Sequence, residues 1–204
     1  MIKGRFRDFR LCEDGFEFRG TKYPDSIIRH IFLNWAYTTI KINFVRSGGV
    51  DAIRMIITTT GGERIVLQES ESDNLFANAV REVLGNRDDA VLGIHQVAQA
   101  LMKRTVFQRT AFYADEWKEK GYFTYDECKF YPPEKIVFRG REFPLKDSVF
   151  LKGAGHIEMR PKDYSFGHAV KRHLSLSKIP QFNTQTDPDV IFGFLKNCFG
   201  LNWE

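Results

Sequence analysis

Cysteine is scarce, and it is badly spaced for either of its structural uses. The three cysteines, Cys12, Cys128 and Cys198, are odd in number and far apart, and no Cys-x-x-Cys pair occurs. That argues against a disulfide framework and a cysteine zinc site, and it fits a reducing compartment. No run approaches the roughly 18 apolar residues of a membrane-spanning helix. The opening Met1-Ile2-Lys3-Gly4-Arg5-Phe6-Arg7 has a basic start with no apolar segment behind it, so it does not read as a secretory signal. The expected location is cytoplasmic. Gly-x-Ser-x-Gly is missing, so the commonest serine-nucleophile turn is missing too.

An excess of one charge is also lacking. The 204 residues carry 30 basic and 26 acidic side chains, a formal net charge of +4. Residues 1–121 hold 18 and 16 of these, and residues 122–204 hold 12 and 10, so each part is +2. A dedicated nucleic-acid binder concentrates its cations in one segment or on one face, and this distribution argues against nucleic acid as the partner.

What the chain does have is phenylalanine and a repeat. Phe supplies 19 of the aromatic residues, against 7 Tyr and 3 Trp. Such residues fill a small core with no polar atom left to satisfy. Phe18-Arg19-Gly20-Thr21-Lys22-Tyr23-Pro24 returns as Phe138-Arg139-Gly140-Arg141-Glu142-Phe143-Pro144. Asp25-Ser26-Ile27 follows the first copy and Asp147-Ser148-Val149 the second. Residues 73–84 predict an amphipathic helix with Leu75, Phe76, Ala79, Val80, Val83 and Leu84 on one stripe. Residues 188–199 repeat the design. Asp187 or Thr186 is the expected cap, Pro188 sits in the first turn, Ile191, Phe194, Leu195, Cys198 and Phe199 form the stripe, and Gly200 closes it.

Alternating apolar residues predict strands through Ile40–Val45, Ile53–Ile57 and Arg64–Leu67. Turns are expected at Glu13-Asp14-Gly15, Ser47-Gly48-Gly49 and Gly61-Gly62. In the second half, strands are expected near 122–130, 135–139, 154–160 and 168–176. Turns are expected at Pro132-Pro133 and Gly153-Ala154-Gly155, and a loop over 179–188. Residues 88–120 contain no Pro and keep helical apolar spacing from Val91 to Phe107, then through Phe112, Tyr113 and Trp117; they read as wholly helical, with a length that leaves room for a break near 104–110.

A strand meander followed by one amphipathic helix resembles the pleckstrin-homology superfold, in particular bacterial pleckstrin-homology-like proteins. The likeness rests on Gly15-Phe16-Glu17-Phe18-Arg19-Gly20 with Tyr23-Pro24, and on Ile136-Val137-Phe138-Arg139-Gly140 with Phe143-Pro144. It implies an α+β fold of two such units, 1–86 and 121–204, joined by a helical linker over 87–120. It also implies a non-catalytic scaffold that binds head groups, peptides or proteins.

Several clusters are candidate sites. Lys135, Arg139 and Arg141 match the loose basic pattern of phosphoinositide-binding members, and an ammonium with two guanidiniums suits phosphate oxygens. Lys3, Arg5 and Arg7 would share one face of a strand, either for anions or as a charged edge against aggregation. Phe112, Tyr113 and Trp117 on the central helix are a candidate protein interface, and Phe32, Trp35 and Tyr37 form a second aromatic cluster. His156, His168, His173 and Glu158 do not fit a zinc motif. Cys128 is expected to be exposed among acidic neighbours, which disfavours its thiolate.

These readings converge on a binding protein that recognises another protein or a membrane-associated complex on a preformed surface. No catalytic residue, metal or cofactor is expected, and exposed sheet edges leave room for a homodimer. The rivals are a nucleic-acid binder using the N-terminal arginines with Lys103, Arg104 and Arg109, and a small hydrolase or transferase with a pocket that the sequence does not reveal.

Overall fold

The computed structural model describes residues 1–4, 8–42, 45–70, 89–152, 155–162 and 180–200; for 35–42, 45–52, 69–70, 89–92, 152 and 161 it describes the backbone only. The fold is α+β. The chain divides into two compact units, Met1–Arg109 and Thr110–Glu204, and the boundary falls inside one helix, α1 (Asp89–Lys120). The described part of α1 runs unbroken through 104–110, so the room left there for a break is not used. Its residues include no proline, and the buried side chain of Thr105 donates back to the Leu101 carbonyl at 2.7 Å within the helical ladder.

Among the described residues, unit 1 holds two sheets. Strands β2 (Phe9–Leu11), β3 (Gly15–Phe18) and β4 (Thr21–Pro24) form an antiparallel meander. Phe9, Phe16 and Tyr23 stack across it with 5.0 Å between successive centroids. A 3-10 turn at Asp25–Ile27 leads into the second sheet, ordered β1-β7-β6-β5. Here β5 spans Ile28–Ile42, β6 Val45–Thr59, β7 Arg64–Ser70 and β1 Ile2–Gly4, with β1 parallel to β7 at the edge. Ile94, Ala98, Leu101 and Met102 of α1 join Phe16, Phe18, Ile31, Ile57 and Leu67 in the core. Their spacing places one helical stripe in the core.

The turns at Glu13-Asp14-Gly15 and Gly61-Gly62 are found: the Cys12 amide donates to the Gly15 carbonyl at 2.9 Å, and that of Gly62 to Thr59 at 2.9 Å. The turn expected at Ser47-Gly48-Gly49 is corrected. Those residues lie in β6, opposite Ile40, Thr39 and Thr38, and the pairing closes at Ile42 with Val45. A glycine pair permits a reversal without requiring one. Among the described residues, β5 and β6 continue as a paired ribbon beyond Ala52–Ser70, the last pair that β7 makes, with a register shift at Ala36/Tyr37. The helix expected over 73–84 lies outside the described residues.

Unit 2 runs as a four-strand meander, a three-strand sheet and a helix. The first sheet orders β8 (Phe123–Tyr125), β9 (Cys128–Tyr131), β10 (Lys135–Phe138) and β11 (Arg141–Pro144) as neighbours. The expected single strand over 122–130 is therefore a tight hairpin, reversed at Asp126 with φ 53°. After a 3-10 turn at Leu145–Asp147, β12 (Ser148–Lys152), β13 (His156–Pro161) and β14 (Gln181–Asn183) pair in that order. The loop expected over 179–188 thus contains a strand, held by fully buried Phe182 opposite Ile157. The strand expected over 168–176 lies outside the described residues.

Helix α2 spans Pro188–Phe199 and ends at Gly200 with φ 65°. Val190, Ile191, Phe194 and Leu195 are buried, whereas Cys198 and Phe199 are half-buried. Asp187 does precede the helix, but its carboxylate makes no capping bond. It accepts instead from the Tyr113 hydroxyl, while its carbonyl takes the amides of Val190 and Ile191 at 3.0 Å.

The sequence repeat is a repeat of backbone geometry. Arg19-Gly20 and Arg139-Gly140 have φ of 51° and 79°, and of 48° and 76°. Two successive positive φ values make a hairpin turn of the primed kind, which glycine adopts without steric cost. Asp8 meets Arg19 at 3.5 Å, and Glu127 meets Arg139 at 2.8 Å. Each arginine lies over the preceding phenylalanine ring, at 5.8 and 4.9 Å. After Pro24 the Asp25 amide donates back to Asp14 at 2.8 Å; after Pro144 the Leu145 amide donates to Glu134 at 2.9 Å. Where the next hairpin ends, Thr60 donates to Ile27 and Lys162 to Asp147, both at 2.8 Å. The correspondence therefore extends well past the seven echoed residues.

Candidate functional site

The hairpin β10–β11 carries the cations that the sequence singles out. The Lys135 ammonium lies 2.6 Å from Glu142 and 5.5 Å from the Tyr131 centroid. The Glu142 carboxylate holds that ammonium above its ordinary pKa range, against a smaller opposing effect of burial. Arg139 is bound by Glu127, and Arg141 is exposed on β11. Two of the three cations thus have carboxylate partners, and an incoming phosphate would compete with both. The basic spacing was legible, but the cross-strand acids that answer it were not.

The outer face of β8–β10 gathers groups that sequence spacing did not connect. The Tyr122 and Tyr131 rings lie 5.0 Å apart, both half-buried. The Lys129 ammonium sits 4.9 Å over Tyr122, as Lys135 sits over Tyr131. Alternation decides the arrangement. Phe123, Phe130 and Ile136 point into the core, so the residues beside them on the pleat point out. The result is an aromatic pair flanked by two ammonium groups; the tyrosines are of the kind enriched at protein contacts, whereas lysine is depleted there.

The helical aromatic cluster is divided. Tyr113 is buried, with Phe123, Tyr125 and Phe194 around it at centroid distances of 5.9 to 6.1 Å. It belongs to the core of unit 2, which corrects its assignment to an interface. Phe112 and Trp117 are half-buried. Phe107, placed on the apolar stripe by its spacing, is instead 87% exposed, and Thr105 and Arg109 are buried in that turn. Phe32 is half-buried, while the side chains of Trp35 and Tyr37 lie outside the described residues.

The cations of the nucleic-acid rival point elsewhere. Arg104 donates to the carbonyls of Cys12, Glu13 and Gly15 at 2.5, 3.2 and 2.9 Å and to Asp25 at 2.9 Å. Arg109 is fully buried, bonded to Thr105 and to the Met102 carbonyl. Both are committed inside unit 1 and offer nothing to a phosphate backbone. Lys103 is exposed. Lys3 is exposed on the edge strand β1, which ends at Gly4; Arg5 and Arg7 lie outside the described residues.

Cys128 is fully buried, which corrects its expected exposure. Burial first, then Asp126 and Glu127, push its thiol up to about 12. Such a thiol is a core group and not a nucleophile. Burial raises the Cys198 thiol as well. His156 is half-buried, and Glu158 pairs with Arg160 at 2.6 Å. His168 and His173 lie outside the described residues. Among the described residues no cluster of three His, Cys, Asp or Glu is placed to hold a metal, and no helix is long and apolar enough to cross a membrane. In unit 1 an open depression of about 150 Å³ is lined by Cys12, Asp14, Phe16, Lys22 and Tyr23, with Gly15 and Pro24. No family model matches the chain, and neither a curated protein nor a solved structure matches it.

Proposed function

We propose that the chain is a non-catalytic binding protein built from two pleckstrin-homology-like units, and that it recognises another protein or a membrane-associated complex. The observation that carries recognition is the Tyr122–Tyr131 pair flanked by Lys129 and Lys135 on the outer face of unit 2. Tyrosine offers a rigid apolar face with a polar end, and Lys129 adds a cation beside it, whereas the Lys135 ammonium is held by Glu142. The unit assignment is supported by the order of unit 2, which is a four-strand meander, a three-strand sheet and a closing amphipathic helix. It is supported again by the matching turn, ion pair and backbone bonds of unit 1.

The mechanism is docking on a surface that the sheet holds in place before the partner arrives. Affinity capture from lysate of the source cell, with wild type beside Lys129→Glu/Tyr131→Ser, tests it. A protein retained by wild type and lost by a variant with an unchanged circular dichroism spectrum is the expected result. Equal capture by both, or nothing retained by wild type, overturns the reading. Recovery of nucleic acid alone, released by moderate salt, transfers it to the phosphate-binding rival.

A further inference from the structure

Helix α1 carries a ridge of residues four apart, Lys103, Phe107, Ala111 and Asp115, and all four are exposed. Phe107 is 87% exposed, the most open large apolar side chain among the described residues. A ring left in water to that extent forgoes the free energy of its own burial. The core does not reach it, because Leu101, Thr105 and Arg109 are buried on the other side of the helix and fix its rotation. One turn on, the small side chain of Ala111 leaves a gap in the ridge that an aromatic ring can enter. The ridge ends in opposite charges. Asp115 meets Lys118 at 3.7 Å, but those side chains are 73% and 78% exposed, so the pair is a weak competitor for either charge.

We infer that this ridge is a homodimer contact, with α1 of one copy crossing α1 of a second copy antiparallel about a two-fold axis level with Arg109. Two relations share that centre. Positions 107 and 111 are symmetric about it, and so are 103 and 115. The axis therefore sets Phe107 of each copy against Ala111 of the other, and Lys103 of each against Asp115 of the other. Ridges of four-residue spacing run alongside one another in the commonest helix crossing, so one geometry brings both pairs together. Charge selects the direction. Parallel pairing in register puts Lys103 beside Lys103 and Asp115 beside Asp115, and antiparallel pairing turns both repulsions into attractions. An axis level with Phe107 would set ring on ring but leave Lys103 beside Ala111 and Asp115 beside Gln99. The occupant is a second copy because one ridge holds both the ring and the gap, and both the cation and the anion. All four residues lie on one unbroken helix, so the helical repeat alone relates them. The contact is short, of the size that gives reversible dimers. The inference is independent of the tyrosine–lysine surface.

Sedimentation equilibrium of the full chain across the micromolar range, at low salt, tests the dimer. The expected result is a monomer–dimer equilibrium for wild type and a monomer throughout for Phe107→Ser. Charge exchange tests the direction and the register. Lys103→Glu and Asp115→Lys should each weaken the dimer about tenfold, because each sets like charges together at both symmetric contacts. Lys103→Glu/Asp115→Lys in one chain should return the wild-type affinity. A wild-type monomer at every concentration, a dimer unchanged by Phe107→Ser, single charge variants that dimerise as wild type does, or a double variant no tighter than the singles overturns the inference. All three positions are exposed; if Phe107→Ser fails to fold, the charge series decides.

Discussion

Tyr113 and Asp187, 74 residues apart, meet at 2.9 Å in the core of unit 2 through the tyrosine hydroxyl and Oδ2 of the carboxylate. Tyr113 is 5% exposed and Asp187 is fully buried. The contact ties α1 to the residue that opens α2, and Asp187 there adopts a left-handed φ of 42°. Tyr113→Phe keeps the ring packing and deletes the donor. It should cost about 1–3 kcal/mol, the range for a buried acceptor deprived of a hydrogen bond. Urea unfolding followed by circular dichroism measures this, and a loss below a few tenths would show that the carboxylate does not depend on Tyr113.

Arg104 plays a comparable part in unit 1. Its guanidinium gathers the carbonyls of the β2–β3 turn and the Asp25 carboxylate, and Gln108, one turn on, donates to Asp25 and Ile28 carbonyls. Arg104→Ala should destabilise unit 1 by about 1–3 kcal/mol, since charge-assisted bonds to several acceptors are lost together. Arg104→Lys should recover only part, because one ammonium cannot reproduce a planar fork. Hydrogen exchange read at residues 9–18 locates the effect; protection there that is unchanged in Arg104→Ala would rule out the clamp.

How far the sequence was legible follows from the range of each signal. The Arg-Gly turns, the closing helix at Pro188–Phe199 and the long helix were readable because each is set within a few residues, by φ preference, apolar spacing or terminator. The β14 strand was not, since its pairing with β13 and the burial of Phe182 are tertiary. Glycine misled at Gly48-Gly49, where the partner strand set the conformation. At the sites, spacing found Lys135 and Arg139 but not Glu142 and Glu127, which reach them across strands or a turn. Nothing in the chain order links Tyr122 to Tyr131 or Tyr113 to Asp187. Arg104 and Arg109 read as surface cations because arginine usually is one.

Two glycines of unit 2 should respond in opposite directions to alanine. Gly140 has φ 76°, so Gly140→Ala forces a Cβ into the left-handed region and should cost about 1–2 kcal/mol, although a Cβ there meets nothing within 4 Å. Gly193 lies inside α2 with equally open space around its Cβ position. Gly193→Ala should stabilise by about 0.5–1 kcal/mol, through helix propensity and a less flexible unfolded chain. Thermal melts of the two variants side by side check the signs; stabilisation by Gly140→Ala would overturn the turn assignment.

Cys128 sets an alkaline limit on unit 2. Its thiol is held neutral in the folded state, up to about 12, chiefly by burial. The unfolded chain ionises near the ordinary thiol range, about 8.5. Folded stability from this group is therefore complete below that range. It falls as pH rises toward 12, because only the unfolded state releases the proton. Burial also raises the Tyr125 hydroxyl, with Asp187 and Asp126 adding to the effect, so a second group acts in the same direction at higher pH. The urea midpoint of wild type should drop between pH 8 and pH 10.5, and Cys128→Ala should flatten that drop while lowering the midpoint at pH 8 through lost packing. Thiol labelling at pH 8 gives the companion result: Cys12 and Cys198, both partly exposed, should react in the native protein, and Cys128 only after denaturant is added. Rapid native labelling of Cys128, or equal pH dependence in Cys128→Ala, would place the thiol outside the core.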